Sequence, residues 1–189
     1  MFKQGKRHGV GLCVWVAGQW AGDQYYGEWD NDCMTGYGKY TFASGSYYEG
    51  NWKEDKMVGE GTYKYRSGNE YNGSWLDDKM HGKGQYKYNN GNIYVGDMNC
   101  DSKHGLGKYY YAEYQSCYEG TFTSNKPNNY GVYYWNDGYR YEGIWIEGRR
   151  CGKGRLITPD GSVVQQEWTE TIKHPYTNQQ PAKFPTQYQ

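Results

Sequence analysis

The sequence has few branched aliphatic side chains, and this shortage excludes several fold classes. Four leucines, five isoleucines, eight valines and four phenylalanines make up only 21 of 189 residues, and the mean hydropathy is −1.13. Coiled coils and doubly wound α/β sheets need many more such residues for their cores. So low a content would indicate disorder if it came with a large net charge. Here, however, 21 Lys and Arg residues balance 21 Asp and Glu residues.

Other features that the sequence lacks limit the location and the partners that we expect. No apolar run approaches the ~20 residues with which a helix crosses a bilayer, and the residues before Gly9 lack the apolar segment of a secretory signal. The five cysteines are an odd number without a C-x-x-C pair, which favours a reducing, intracellular compartment. A net charge of zero argues against nucleic acid as the main partner, because phosphate binding needs a positive surface.

Aromatic residues and glycine take the place of the missing aliphatic residues. The chain has 24 tyrosines, 8 tryptophans and 28 glycines. Each aromatic ring can bury a large area. Aromatic residues favour strands, whereas glycine disfavours helices. The composition therefore predicts β-structure.

The sequence repeats with a period of 23 residues. Each copy begins with Tyr-x-Gly-x-Trp, and the first complete copy starts at Tyr25. Later copies begin at Tyr48, Tyr71, Tyr94, Tyr118 and Tyr141, with one extra residue before Tyr118. Seven residues after the tryptophan position comes a Gly-x-Gly pair, which starts at Gly36, Gly59, Gly82, Gly105 and Gly152, with an earlier pair at Gly9. Two motifs that recur in register indicate a repeat architecture.

Some copies depart from the pattern. Met98 and Phe122 replace the tryptophan, Asn129 replaces the first glycine of a pair, and the last copy has degenerated to Val164-x-Gln166-x-Trp168. These departures predict less regular packing in the later repeats. A bend in the array is one expected consequence of the extra residue.

Each repeat is predicted to form a β-hairpin. In the strand that starts at Tyr25, the motif tyrosine, glycine and tryptophan share one face and the residues between them point to the other. A polar turn at 30–32 leads to a return strand at 36–42, and a second turn around Gly45 leads to the next repeat. Because glycines beside large rings leave the backbone bare, rings of neighbouring hairpins can lie over it.

The predicted fold is all-β: an elongated single-layer array of antiparallel β-hairpins with 23 residues per repeat. The array covers residues 1–168, with incomplete first and last repeats, and residues 169–189 form an irregular tail that contains proline and glutamine. The alternative for the tail is docking of Tyr176, Phe184 and Tyr188 into a neighbour. Since a ribbon offers long faces rather than deep pockets, we expect extended partners, no catalysis, no cofactor and no small-molecule substrate.

The two motifs and their spacing resemble the MORN repeat (membrane occupation and recognition nexus) over residues 1–168. The resemblance implies a single-layer array of antiparallel hairpins and a scaffold role. Such repeats serve in junctophilins, in cytoskeletal organisers of apicomplexans and kinetoplastids, in a myosin-binding adaptor and in radial-spoke head proteins of cilia. They also accompany catalytic domains in plant phosphatidylinositol-phosphate kinases and a SET-domain methyltransferase. These fusions are the only support for an enzymatic function.

The aromatic face of the predicted array is the main candidate site. Its rings are either packing between hairpins or anchors for a partner's peptide or helix. The two roles are compatible, because a single-layer sheet has no second layer to cover its apolar side. We expect the tryptophans to be structural and some tyrosine hydroxyls to reach solvent or the partner. The candidate residues are Tyr25, Trp29, Tyr48, Trp52, Tyr71, Trp75, Tyr94, Tyr118, Tyr141 and Trp145.

Other chemistry-bearing residues are interpreted as structural. His8, His81 and His104 occupy one repeat position and are interpreted as turn histidines, because successive copies lie ~10 Å apart, too far to share a metal ion. The Gly-x-Gly pairs lack the phosphate-loop pattern and precede no predicted helix. Acidic residues such as Asp77 and Asp78 lie in predicted turns, where aspartate is favoured for local hydrogen bonding.

One basic cluster stands out, formed by Arg149, Arg150, Lys153 and Arg155. It is either a solvated turn or a contact for anionic lipid or an acidic protein surface. Four charges without an amphipathic helix or a lipid anchor would hold a membrane only weakly.

These observations lead to two hypotheses. The preferred one is a non-catalytic scaffold of a cytoskeletal assembly, in the axoneme of a cilium, that binds other proteins along its aromatic face and end strands and self-associates through those strands. The ciliary location rests on the resemblance alone. The alternative is a peripheral membrane adaptor that binds acidic phospholipids through its basic turns.

Overall fold

A computed structural model describes residues 1–168, and every regular element within them is a β-strand. The predicted tail at 169–189 lies outside the described residues. None of the described residues forms a helix that could span a membrane. The strands are β1 (Phe2–Lys3), β2 (Lys6–Arg7), β3 (Gly9–Val14), β4 (Gln24–Asp30), β5 (Cys33–Thr41), β6 (Tyr47–Lys53), β7 (Lys56–Lys64), β8 (Glu70–Leu76), β9 (Lys79–Lys87), β10 (Ile93–Asn99), β11 (Ser102–Tyr111), β12 (Ser116–Thr123), β13 (Lys126–Tyr134), β14 (Arg140–Ile146), β15 (Arg149–Ile157) and β16 (Val163–Trp168).

Fourteen of these strands form one antiparallel sheet, in which each strand from β3 to β16 pairs with its neighbours in sequence. The strands β1 and β2 form a separate two-stranded hairpin at the start of the chain. The predicted all-β array of sequential hairpins with 23-residue repeats is confirmed.

The turn inside each repeat is shorter than the sequence suggested. Asn31 and Asp32 both have positive φ, 50° and 72°, which defines the two-residue turn that matches the twist of a hairpin. Because only two residues are needed, β5 begins at Cys33 and not at the predicted Gly36. Equivalent turns with positive φ at both residues are Gln4–Gly5, Glu54–Asp55, Asp77–Asp78, Cys100–Asp101, Ser124–Asn125 and Glu147–Gly148.

A bulge explains the first glycine of each Gly-x-Gly pair. In the pairing of β4 with β5, Gly27 lies opposite Gly38 and Glu28 lies opposite Thr35, so two residues of β5 bulge out between these pairs. The first of them, Gly36, has φ of 55°, a conformation that glycine adopts at little cost.

A tyrosine ring explains the second glycine of each pair. Gly27 and Gly38 are cross-strand partners, and the Tyr25 side chain lies against both of them. A Cβ atom on Gly38 would lie 2.2 Å from the Tyr25 hydroxyl oxygen, although φ at Gly38 is ordinary. The motif glycines therefore make room for a ring that lies flat on the backbone. This packing buries one face of a sheet that has no second layer.

The extra residue before Tyr118 is absorbed in a turn. The segment 112–115 connects β11 to β12 without the glycine that other repeats carry there. Gly107 still pairs with Gly120, as Gly84 pairs with Gly96 one repeat earlier. The register of the sheet is therefore unchanged by the insertion.

Candidate protein-interaction surface

The ten aromatic residues predicted as a partner-binding face form the core of the ribbon. We call them the inner row. Their exposed fractions lie between 0% for Tyr25 and 8% for Trp145. Tyr25 makes edge-to-face contacts with Trp29 of its own repeat and with Trp52 of the next, at centroid distances of 4.9 and 5.5 Å. The same alternation joins most repeats to their neighbours, as at Tyr48 with Trp52 and Trp75.

Nearly all polar atoms of the inner row form hydrogen bonds within residues 1–168, the exception being the buried Tyr141 hydroxyl. The Tyr25 hydroxyl donates to the Glu28 carbonyl at 3.1 Å, and the Trp52 indole N–H donates to the Gly38 carbonyl at 3.1 Å. The tyrosines at 48, 71, 94 and 118 donate in the same way to the carbonyl three residues on. The expectation that some of these hydroxyls reach solvent was therefore wrong for these five tyrosines. Burial raises the pKa of Tyr71 and of Tyr118 to about 12.

A second line of rings, which was not predicted from the sequence, lies beside the inner row on the same face. We call it the outer row. It is continuous, because each ring contacts the next at a centroid distance between 4.4 Å for Tyr63–Tyr65 and 6.1 Å for Tyr65–Tyr86. Its members are Trp15, Tyr40, Phe42, Tyr63, Tyr65, Tyr86, Tyr88, Tyr109, Tyr111, Tyr133 and Trp135.

Most rings of the outer row are partly exposed. Only Tyr40 and Tyr133 are buried, whereas the other nine are half-buried. A partner that docks on this face therefore meets the outer row before it meets the inner row. The sequence does carry a signal for these residues, since aromatic residues stand two and four places after the second glycine of most Gly-x-Gly pairs, as at Tyr63 and Tyr65.

Polar side chains fix the outer row from the turns at its margin. Asp23 accepts a hydrogen bond from the Tyr40 hydroxyl at 2.6 Å and another from the Ala43 N–H at 2.7 Å. Four repeats further along, Ser116 at the start of β12 and the Tyr133 hydroxyl share a hydrogen bond of 2.6 Å. Asp23 and Ser116 are both buried. Such contacts hold the rings in place before any partner arrives.

The ring contacts of the inner row are interrupted at Met98. The thioether occupies the position that tryptophan holds in the three preceding repeats, and its cross-strand partner is Lys103. The Lys103 ammonium donates to the Tyr88 hydroxyl at 3.0 Å and lies 4.8 Å from the centre of the Tyr109 ring. Burial lowers the pKa of Lys103 to about 8. A shallow cavity of about 200 Å³ lies here, lined in part by Met80 and Asn125.

The opposite face of the sheet is polar and carries ion pairs. Lys39 and Glu49 form one such pair at 3.3 Å, and Lys108 and Glu119 form another at 3.4 Å. Tyr26 is an exposed ring on this face, next in sequence to the buried Tyr25. The predicted division of alternate residues between two faces is seen in the alternating burial of β4.

The structure divides the predicted basic cluster. Arg150 lies on the aromatic face, with its guanidinium 3.8 Å from the centre of the Trp168 ring, and burial there lowers its pKa. Arg155 lies on the polar face and pairs with Glu142 at 2.6 Å. Arg149 and Lys153 are exposed. The four residues therefore do not form one cationic patch, because neighbours in a strand point to opposite faces.

The histidines are spread along the ribbon. His81 and His104 lie in strands β9 and β11 and not in turns as predicted, while His8 Nδ1 lies 3.0 Å from an Asp30 carboxylate oxygen. Within residues 1–168, no group of three His, Cys, Asp or Glu residues is arranged to hold a metal ion.

These features define a class: a single-layer β-hairpin repeat protein whose accessible faces are long and shallow. The MORN repeat family model matches residues 1–20, 25–47, 48–70, 71–93, 94–115, 118–138 and 141–163. The chain therefore belongs to the MORN-repeat family, whose members are typically repeat scaffolds. Comparison with curated protein sequences gives no match.

A solved structure from Drosophila melanogaster shares the fold. The TCP domain of SAS-4 (dCPAP) of Drosophila melanogaster, in complex with a proline-rich motif of Ana2 (dSTIL), matches with a TM-score of 0.50 at 13% identity. That match covers 77% of this chain and 78% of the other. The G-box domain of the microcephaly protein CPAP matches with a TM-score of 0.35 at 13% identity, over 85% of this chain and all 100% of the other. At 13% identity, the likeness to the SAS-4 domain concerns the fold alone.

Proposed function

We propose that this chain is a non-catalytic scaffold subunit of a cytoskeletal assembly, and that it holds partner proteins by extended segments that lie along the outer row. The observation that carries this proposal is the unbroken line of rings from Trp15 to Trp135, of which all but Tyr40 and Tyr133 are half-buried. Rigid aromatic rings make good anchors, because little conformational entropy is lost when they bind.

The partner segment is a polyproline II helix. Two strands advance the ribbon by about 9.6 Å, and one three-residue turn of polyproline II advances by about 9.3 Å. A proline-rich segment along the ribbon therefore presents the same side to each successive repeat. Aromatic grooves are the usual receptors for such segments. The SAS-4 domain, whose fold is similar, was itself solved with a proline-rich motif.

Fluorescence anisotropy with a labelled twelve-proline peptide tests this binding mode. We expect saturable binding that weakens at least about fivefold in Tyr65→Ala, which removes an outer-row ring at a cost of ~1 kcal/mol or more. The matched control is Tyr37→Ala, because Tyr37 is an exposed ring in a bulge of the same sheet that lies outside the outer row. Equal losses in both variants, or no binding to the unaltered protein, would reject the proposal.

The assembly that we propose is the axoneme of a cilium. This part of the proposal rests on the scaffold role of the family and not on a residue of the sheet. Crosslinking mass spectrometry of native axonemes tests it, with crosslinks from this chain to other axonemal proteins as the expected result. Crosslinks to membrane proteins alone would contradict it.

The outermost strands of the sheet offer a route to self-association. Within residues 1–168, β3 and β16 each pair with one strand only. An open strand edge can accept another strand. We expect a concentration-dependent rise in mass by light scattering, and Leu12→Pro in β3 should reduce it, because proline removes a backbone donor from the edge. A mass that stays monomeric at all concentrations would reject this part.

The second candidate function is a peripheral adaptor for acidic phospholipids. This candidate is supported by the two exposed cations Arg149 and Lys153, which lie in the same strand. Sedimentation with vesicles that contain phosphatidylserine should then fall when both are replaced by glutamate. Absent or unchanged sedimentation would remove this candidate.

A further inference from the structure

The cross-strand pair Met98–Lys103 differs from the pair at the same place in the three preceding repeats. Those pairs are Trp29–Met34, Trp52–Met57 and Trp75–Met80. Both members of the pair have changed, since a smaller side chain replaces the tryptophan and a cation replaces the methionine. A cavity of about 200 Å³ lies at this pair, and both Met98 and the ammonium-bearing Lys103 line it.

The Lys103 ammonium has no counter-ion in the described part of the chain. Within residues 1–168, no carboxylate oxygen lies within 4.0 Å of its nitrogen, whereas nine other pairs of a lysine or arginine with a carboxylate meet that limit. Its one hydrogen bond to another side chain is the one donated to the Tyr88 hydroxyl. An ammonium carries three donors, and a partly desolvated charge without a partner is costly.

The walls of the cavity suit a side chain that is apolar along its stem and negative at its tip. Tyr86, Tyr88 and Met98 supply the apolar surface. Asp101 also lines the cavity, and its Oδ1 accepts a hydrogen bond from the Met80 N–H at 2.9 Å. The cavity lies beside the outer row, because Tyr86 and Tyr88 belong to both.

We propose that this cavity receives the carboxylate of a glutamate or aspartate from the segment that lies along the outer row, with Lys103 as its counter-ion. The charge complementarity would supply the partner that the ammonium lacks. A charge-assisted hydrogen bond in a half-buried site is stronger than the same pair in open solvent. The proposal rests on the proposed function, and it adds an acidic residue at one place to the requirement for an extended, proline-rich segment.

Two acetylated and amidated peptides test it by isothermal titration calorimetry, PPPEPPP and PPPQPPP. They differ only in the charge of the central residue. We expect the glutamate peptide to bind the unaltered protein on the order of tenfold more tightly. Lys103→Met, which restores the residue of the preceding repeats, should bring the ratio to about one without weakening the glutamine peptide.

Two further variants separate the cavity from general charge effects. Met98→Trp fills the cavity and leaves Lys103 in place, and it should also abolish the preference. Lys79→Met removes an exposed lysine whose cross-strand partner Leu76 lies on the polar face, and it should leave the preference intact.

The outcomes distinguish failure of the acidic site from failure of the proposed scaffold function. Equal binding of both peptides to the unaltered protein, or a preference that survives Lys103→Met, overturns the acidic site and leaves the scaffold proposal standing. Loss of the preference in Lys79→Met also overturns it, since net charge would then be the cause. If neither peptide binds the unaltered protein, both proposals fail.

Discussion

Met34 and Asp55 join neighbouring repeats by a closed pair of hydrogen bonds. The Met34 N–H donates to an Asp55 carboxylate oxygen at 2.7 Å, and the Asp55 N–H donates to the Met34 carbonyl at 3.2 Å. The same pair of bonds recurs along this margin of the ribbon at Arg7–Asp32, Met57–Asp78, Met80–Asp101 and Lys103–Asn125.

In the next pair of this series, Pro127–Gly148, both the donor and the acceptor of one of the two hydrogen bonds are missing. Pro127 has no N–H to donate, and its counterpart Gly148 has no side chain to accept. The remaining bond, from the Gly148 N–H to the Pro127 carbonyl, is 2.8 Å long. The coincidence of the two losses indicates that the acidic or amide residue of the turn serves as an acceptor and not only as a turn former.

Replacing Asp55 tests the role of this acceptor. Asp55→Gly keeps a residue that tolerates the φ of 65° but removes the acceptor of the Met34 N–H. We expect a loss of about 1 kcal/mol in the free energy of unfolding, measured by urea denaturation. Asp55→Asn is the matched control and should stay within about 0.5 kcal/mol, as Asn125 is a natural acceptor at this place. Equal stability of the glycine variant and the unaltered protein would contradict this role.

Gly38→Ala tests the packing of tyrosine on bare backbone. The added Cβ would lie 2.2 Å from the Tyr25 hydroxyl oxygen, so we expect a loss of about 3 kcal/mol or more in the free energy of unfolding. The double variant with Tyr25→Ala supplies the control, because the clash should vanish once the ring is gone. Additive costs in the double variant would show that the glycine is needed for some other reason.

Met98→Trp should stabilise the protein. In the preceding repeat the Trp75 indole N–H donates to the Gly61 carbonyl at 3.1 Å, and the equivalent acceptor for residue 98 is the Gly84 carbonyl. A gain of about 1 kcal/mol is expected from the filled cavity and the new hydrogen bond, and thermal unfolding would measure it. A destabilised variant would mean that the surrounding rings have already closed on Met98.

Alkaline pH should unfold the ribbon in step with ionisation of its tyrosines. Burial raises the pKa of Tyr71 and Tyr118 from 10.0 to about 12. Because the unfolded chain releases these protons first, the stabilisation is complete below pH 10 and is lost as the pH rises toward 12. Tyrosinate absorbance and circular dichroism should then change together. Full ionisation while the dichroism of the sheet persists would contradict the assignment of these hydroxyls to the core.

Much of the fold was predictable because its repeat places the same residue types at the same positions. The faces of β4 follow from alternation, and the pairing of Gly27 with Gly38 follows from glycines that recur in register. The bulge at Gly36 was not predicted, since a glycine with positive φ and a glycine under a ring have the same letter in the sequence.

The candidate site was predicted less well. Burial of the inner row depends on rings that lie flat against neighbouring strands, and strand alternation alone does not give that orientation. The cavity at Lys103 depends on a cross-strand pair. The departures from the repeat pattern at residues 98 and 103 could therefore be connected only once the structure placed Met98 opposite Lys103.

Hydroxyl-radical footprinting with the twelve-proline peptide tests the central claim, that extended segments bind along the outer row. The account predicts that the peptide protects the half-buried rings, for example Tyr65, Tyr88 and Tyr111, while the labelling of Tyr26 on the polar face stays unchanged. Protection of Tyr26 with the outer row fully labelled would contradict the account.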